Sequence, residues 1–219
     1  MKPIYLTFDC YGTLIDWKSG VLGPLQSYPN VDPDVFFETW WRVDRRLTCA
    51  DSYRLYREVL AQNFSEACQF SGIMIANDLA ERLADGLGDW TPFPDASEAL
   101  AEFRRLGFKL GILSNIDNDQ LARSIDQLGV EIDVCITAEN IQSYKPKTRH
   151  FEAFLETTDL DPGQVLHIAA SRFVDIDPAS KLGFRTMYVQ RSEPDADHDV
   201  TPEFTVEMLA DAIPILENL

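Results

Sequence analysis

The stretch Ile4-Tyr-Leu-Thr-Phe-Asp-Cys-Tyr-Gly-Thr-Leu14 decides the fold. Ile4 to Phe8 is a run of β-branched, aliphatic and aromatic side chains, the pattern of a buried strand. The run stops at Asp9, and Gly12 follows, where the backbone can turn without a Cβ penalty. An open parallel sheet carries its ligands just beyond the carboxyl ends of its strands. Asp9 therefore stands either at the edge of a binding crevice or as a carboxylate that caps a turn. The stretch alone leaves both open.

Outward from Leu14 the chain changes character. Residues 16–89 hold no convincing strand. Asp32-Pro33 reads as a helix N-cap followed by proline at the first helical position. Phe36, Phe37, Trp40 and Trp41 then supply a strong apolar face. Tyr53, Leu55, Tyr56, Val59 and Leu60 continue at helical spacing, as do Leu79, Leu83 and Leu87 after an expected cap at Asn77. The spacing predicts an all-helical insert over 16–89, and Trp90-Thr-Pro-Phe-Pro94 marks a rigid return. From Asp95 onward helices and strands alternate. Asp95 opens a helix with a capping-box pattern, and strands are expected at 109–113, 134–137, 164–168 and 186–189. Alternation of this kind predicts an α/β fold with a doubly wound parallel sheet, its core formed by residues 1–15 and 90–219. Ser192 to Pro202, acidic and proline-containing, reads as a surface loop.

Composition narrows the function. The 219 residues carry 36 Asp and Glu against 19 Lys and Arg, a formal net charge of −17. Such a surface repels phosphate backbones and anionic lipid, so neither nucleic acid nor membrane is expected as a partner. Any anionic ligand needs local positive charge, which makes a Lys or Arg near the sheet edge informative. No segment is long or apolar enough to span a bilayer, and the start of the chain lacks the layout of a signal peptide. The four cysteines are scattered, which suits a reduced, cytoplasmic protein with structural thiols. Cys10 beside Asp9 has no neighbouring His in sequence to activate it.

Four segments place polar groups at the same sheet edge: Asp9, Ser114-Asn115, Lys145 before a helix, and Asp175 after the strand containing His167. A lysine beside a carboxylate keeps it ionised and draws in anions. A carboxylate kept anionic and dry is a nucleophile able to form an ester intermediate. Asp9-Cys-Tyr-Gly-Thr-Leu14, Ser114-Asn115, Lys145-Pro146 and Asp175 resemble the four ordered motifs of the haloacid dehalogenase superfamily, whose Rossmann-like core carries a helical cap inserted after the first motif. Asp9-x-Tyr11-Gly-Thr-Leu is similar to the L-2-haloacid dehalogenases. That resemblance implies displacement of halide by Asp9 from a small 2-haloalkanoic acid, then hydrolysis of the aspartyl ester, with no metal or other cofactor. It further implies Thr13, Ser114, Asn115 and Tyr11 as binding residues, Lys145 as charge partner and Asp175 on the water. Arg42, in its Trp-Arg context, is implied as the cap residue that meets the substrate carboxylate or halide. Taken alone, Arg42 reads equally well as a helix-surface residue paired with Glu38.

The chain also departs from those motifs. Superfamily phosphatases resemble D-x-D-x-T, and the second Asp is Tyr11 here. A phenol with a pKa near 10 is a poor acid for a leaving alkoxide. A carboxylate of their fourth motif is replaced by Ala170. Dehalogenases usually show Ser-Ser-Asn where this chain has Ala170, Ser171 and Arg172, and a Tyr where it has Phe151. Two alternatives stay open: a magnesium-dependent phosphatase with atypical motifs, and a weakly catalytic protein that binds a small carboxylate. His150 is expected at a helix surface and His167 as a satisfied core residue. The aromatic-rich helical segment offers a surface for a homodimer.

Overall fold

Among the described residues six strands form one parallel sheet in the order β3-β2-β1-β4-β5-β6. They are β1 (Tyr5–Phe8), β2 (Lys109–Ser114), β3 (Val134–Thr137), β4 (Val165–Ala169), β5 (Arg185–Val189) and β6 (Phe204–Val206). The structure is a computed structural model and describes residues 2–191 and 200–219. β1 is central, bonded to β2 on one side and β4 on the other. The chain builds outward from it first in one direction and then in the other, so the carboxyl end of β1 is the topological switch point, where such sheets open a crevice.

Side chains alternate across the sheet and both faces are covered, which explains the unbroken apolar runs. Leu6 and Phe8 join Leu110, Ile112, Leu166 and Ile168 in one core. Helix α5 (Ala96–Arg105) closes that face, with Phe103 stacked on Phe8 at 6.0 Å. Tyr5 faces the other way with Leu113 and Val165, under Phe151 and Phe154 of α8 (Arg149–Thr158). Gly111 is required on that side. A Cβ there would sit 3.0 Å from the Phe154 ring and 3.2 Å from the Thr7 methyl, so its absence lets α8 close on the sheet.

Between β1 and α5 the chain is helical: α1 (Trp17–Leu22), α2 (Pro33–Thr48), α3 (Tyr56–Phe70) and α4 (Leu79–Asp85), with 3-10 turns at Gly23–Ser27 and Leu87–Asp89. Asp32 caps α2 as expected, accepting from the N–H groups of Asp34 and Val35, with Pro33 next. Trp17 is the hub of this layer, its ring 5.2 Å from Phe37, 4.9 Å from Trp40 and 5.2 Å from Trp41. Fully burying an aromatic side chain of this size contributes roughly 2–3 kcal/mol. The remaining helices are α6 (Asn118–Leu128), α7 (Ala138–Ile141), α9 (Asp177–Lys181) and α10 (Ala212–Glu217). No described helix is long and apolar enough to cross a membrane.

Some details differ from expectation. α1, α7, α10 and β6 are additional elements. Asp95 does not cap α5; its carboxylate instead accepts from Arg191 Nη2 and the Leu209 N–H, each at 2.8 Å, tying the C-terminal segment to the core. The residue preceding α4 is Asp78, not Asn77, and it makes no side-chain cap. Most of the expected 192–202 loop, residues 192–199, lies outside the described residues.

Candidate active site

β1, β2 and β4 are neighbours, so the residues at their carboxyl ends converge. Lys145, wholly buried, enters this point from the loop ahead of α8. An ammonium has three N–H donors, and all three are used: Nζ donates to Asp9 Oδ1 at 2.8 Å, to Asp175 Oδ1 at 2.5 Å and to the Leu113 carbonyl at 2.7 Å. One buried cation thus bridges two buried carboxylates. Asp175 comes from a single π-helical turn, Arg172–Ile176, directly after β4. Its Oδ1 also receives His167 Nε2 at 3.1 Å, while Oδ2 has no hydrogen-bond partner.

The two carboxyls respond differently. Burial pushes Asp9 up to about 6, with Lys145 pulling it back and Asp175 adding to the rise. Burial also penalises charge on Asp175, but the Lys145 ammonium and the His167 bond outweigh it and hold that carboxyl below its ordinary range. The asymmetry follows from geometry, since Asp175 has the shorter bond to Lys145 and takes its second bond from His167, whereas Asp9 takes its second from the Thr13 hydroxyl. Burial disfavours the Lys145 ammonium, and its two carboxylate partners reverse that and raise it.

Two expected binding residues act on the machinery itself. Thr13 Oγ1 donates to Asp9 Oδ2 at 3.1 Å and accepts the Ala170 N–H at 2.9 Å, fixing the Asp9 rotamer. Asn115 clamps the Lys145 backbone, with Nδ2 on its carbonyl at 3.1 Å and Oδ1 on its N–H at 2.7 Å. Ser114 and Asn115 also line the cavity into which Asp9 opens, as does Tyr11. The Tyr11 hydroxyl is engaged by Ser124 Oγ at 2.7 Å, and burial raises its pKa well above the ordinary value. Burial likewise pushes the Cys10 thiol up, which leaves it inert beside Asp9.

The cavity measures about 60 Å³. One water needs roughly 10–15 Å³, so the space takes a handful of heavy atoms. Its walls include Trp17, Trp41, Leu87, Trp90 and Val174 on the apolar side, and Asp44, Arg45, Thr48, Tyr56 and Ser171 on the polar side.

The structure does not bring Arg42 here. Arg42 is exposed, with Nε 3.4 Å from the Glu38 carbonyl and Nη2 3.3 Å from Thr39 Oγ1. The reason is helical phase. Trp41, Asp44, Arg45 and Thr48 share one face at i, i+3, i+4 and i+7, and Arg42 is rotated about 100° away from Trp41. Arg45 is the cation of α2 in the cavity wall, its guanidinium 3.8 Å from the centre of the Phe173 ring. That periodicity was the available sequence signal for Asp44, Arg45 and Thr48; Ser171 stood in the fourth-motif stretch, and nothing local marked Tyr56.

The histidines divide. His167 is buried with Thr7 Oγ1 on Nδ1 at 3.0 Å and Asp175 on Nε2, a satisfied core residue. His150 is not at a surface: it is fully buried, Nε2 lies 3.1 Å from the Ser114 carbonyl, and burial drops its pKa to about 3. Among the described residues no group of three or more His, Cys, Asp or Glu side chains is arranged to hold a metal ion.

A sequence profile of haloacid dehalogenase-like hydrolases matches residues 5–183. (S)-2-Haloacid dehalogenase 1 of Pseudomonas sp. (strain CBS-3) is 26% identical over 212 residues, covering 93% of this chain and 92% of that protein. A dehalogenase crystallised with an intermediate complex superposes with a TM-score of 0.89 at 21% identity, covering 99% of this chain and 98% of the other. The L-2-haloacid dehalogenase from Xanthobacter autotrophicus, with chloropropionic acid covalently bound, superposes at 0.86 with 20% identity, covering 99% of each chain. At these identities the superpositions show a shared fold.

Proposed function

The chain belongs to the haloacid dehalogenase-like hydrolases, and from that premise we propose that it is a 2-haloacid dehalogenase with Asp9 as nucleophile. The observation that carries the reading is the Lys145 ammonium shared between Asp9 and Asp175, with Asp9 opening on a small cavity.

In the first half, an Asp9 oxygen attacks the carbon bearing the halogen. The new C–O bond forms as the C–X bond breaks, and halide leaves with the bonding pair. Lys145 keeps Asp9 anionic, and Thr13 together with Lys145 holds both its oxygens in place. The tryptophans of the wall exclude bulk water, which strengthens each charge interaction inside. Arg45, rather than Arg42, meets the substrate carboxylate. The helices of residues 16–89 serve as the cap over this site. In the second half, water adds to the Asp9 ester carbonyl and gives up one proton; the bond from the Asp9 carboxyl carbon to the substrate-bound oxygen breaks, the departing alkoxide takes the proton of the added hydroxyl, and the 2-hydroxy acid leaves with Asp9 restored as a carboxylate. Asp175 takes the proton that the water gives up. Its Oδ1 is fixed by Lys145 and His167, and its unpartnered Oδ2 is the acceptor left.

The donors around Asp9 do not suit a divalent cation. Tyr11 and Ala170 stand where a magnesium-dependent phosphatase is expected to carry carboxylates. The Tyr11 hydroxyl is turned to Ser124, and Ala170 has no side-chain oxygen to offer, its N–H being given to Thr13. Chloride or bromide release from 2-chloro- and 2-bromopropanoate, with and without EDTA, tests the reading. Release insensitive to EDTA is expected. Magnesium-dependent release of phosphate from p-nitrophenyl phosphate, with no halide release, would overturn it.

A further inference from the structure

Asp44 has no role in the steps above, yet it faces the same cavity as Asp9. It is nine-tenths buried, at 9% relative exposure. Two neutral donors reach it, the Tyr56 hydroxyl at 3.1 Å and Asn63 Nδ2 at 3.3 Å, and both go to Oδ1. Its Oδ2 receives no hydrogen bond from any described residue, and no described Lys or Arg forms an ion pair with it. A buried carboxylate without a countercharge is costly unless something satisfies its remaining lone pairs. The protein supplies nothing to Oδ2, and this oxygen is not among the sealed, unpartnered atoms, so it is open to a donor from outside the protein, a water or the molecule that fills the cavity.

We propose that Asp44 is a specificity-determining residue: its Oδ2 accepts a hydrogen bond from a hydroxyl on the substrate, so that the preferred substrates are small 2-halo acids with a hydroxyl on the carbon next to the reacting one. The cavity fixes the size. At about 60 Å³ it accommodates only a few heavy atoms, so a donor must lie close to the carbon that Asp9 attacks. A hydroxyl fits better than an ammonium, because Arg45 and Lys145 already stand in the same wall and repel a third cation. Burial lifts the Asp44 carboxyl to about 6, with Tyr56 and Asn63 holding it down, so above that pH it is an anionic acceptor. A site built around such an acceptor rejects an analogue that lacks the donor.

This inference rests on the dehalogenase reading for the halide but not for the donor preference, and two measurements separate them. The first compares kcat/KM for 2-chloro-3-hydroxypropanoate and for 2-chlorobutanoate, which differ by hydroxyl against methyl. A hydrogen bond to a charged group is worth about 1.5–3 kcal/mol, which predicts a preference of roughly 10- to 100-fold for the hydroxy acid. Asp44→Asn keeps an oxygen for Tyr56 and Asn63 and turns an amide NH₂ to the cavity, so the preference falls to about one or inverts. A wild-type ratio of one or less, or a ratio unchanged in the variant, overturns the proposal. The second measurement is calorimetric binding of glycerate and 2-hydroxybutanoate, which needs no turnover. Tighter binding of glycerate without halide release from either chloro acid would uphold Asp44 and sink the dehalogenase reading. Equal binding of the two would overturn the role of Asp44 whatever the turnover.

Discussion

Asp9 has to be charged in a place that penalises charge. Its carboxyl, pushed by burial to about 6, ionises well above the ordinary carboxylate value near 4. Only the ionised form attacks carbon, so kcat/KM for halide release is expected to rise with pH through about 6 and to level off above it. A profile flat from pH 4 to 8 would contradict the assignment. Arg45 carries a second expectation. Arg45→Gln removes the charge-assisted bond proposed to the substrate carboxylate, a kind worth about 1.5–3 kcal/mol, and should raise KM by roughly 10- to 100-fold. Arg42→Gln changes an exposed residue and should leave KM within about twofold; the reverse pattern would restore Arg42. Asp9, Ser114, Lys145 and Asp175 were legible in the chain because each borders a strand end or the loop ahead of a helix. Arg45 was not, because Arg42 held the more conspicuous Trp-Arg context and only helical phase tells the two apart. His150 was misplaced for a similar reason. α8 begins at Arg149, so His150 is in its first turn, and it is directed inward under Ser114 rather than outward.

The link between the helical layer and the sheet rests on how one helix begins. The N-cap residue of α3 is Leu55, which has no side-chain oxygen. Asp117, in the loop between β2 and α6, supplies the cap from outside the helix. Its Oδ1 accepts the Tyr56 N–H at 2.7 Å and its Oδ2 the Arg57 N–H at 3.0 Å, while Arg57 Nε adds an ion pair at 3.1 Å. A negative group at a helix N-terminus satisfies orphan donors and complements the dipole. Asp117→Ala should therefore cost about 1–3 kcal/mol of stability, read as a lower Tm, with Asp117→Asn losing less. An unchanged Tm in Asp117→Ala would refute the anchoring role. Asp117 lies two residues past Asn115, so the loop that clamps Lys145 also caps a helix of the insert. No local pattern reveals a cap delivered across about 60 residues of chain, whereas the Asp32-Pro33 cap of α2 was plain in the sequence. α1 and β6 escaped for want of length, being six and three residues; periodicity needs a longer window.

Over the whole molecule, a chain of net charge −17 surrounds a site proposed to take an anion. Lys145 and Arg45 supply the local positive charge, one beside Asp9 and one in the wall contributed by α2. The fold class was readable from strands and helices alternating after Asp95, and the switch point at β1 follows from the strand order. The sheet and the helical layer together then enclose a space for one small molecule. The most direct test follows oxygen through that space. Protein in excess over (S)-2-chloropropanoate is allowed one turnover in oxygen-18 water, and the Asp9 peptide and the lactate are weighed by mass spectrometry. An ester intermediate puts the Asp9 oxygen into the lactate and the water oxygen into Asp9. A covalent route through Asp9 gives a heavier Asp9 peptide and unlabelled lactate. Labelled lactate with an unlabelled Asp9 peptide would mean that water displaces the halide directly, and would contradict it.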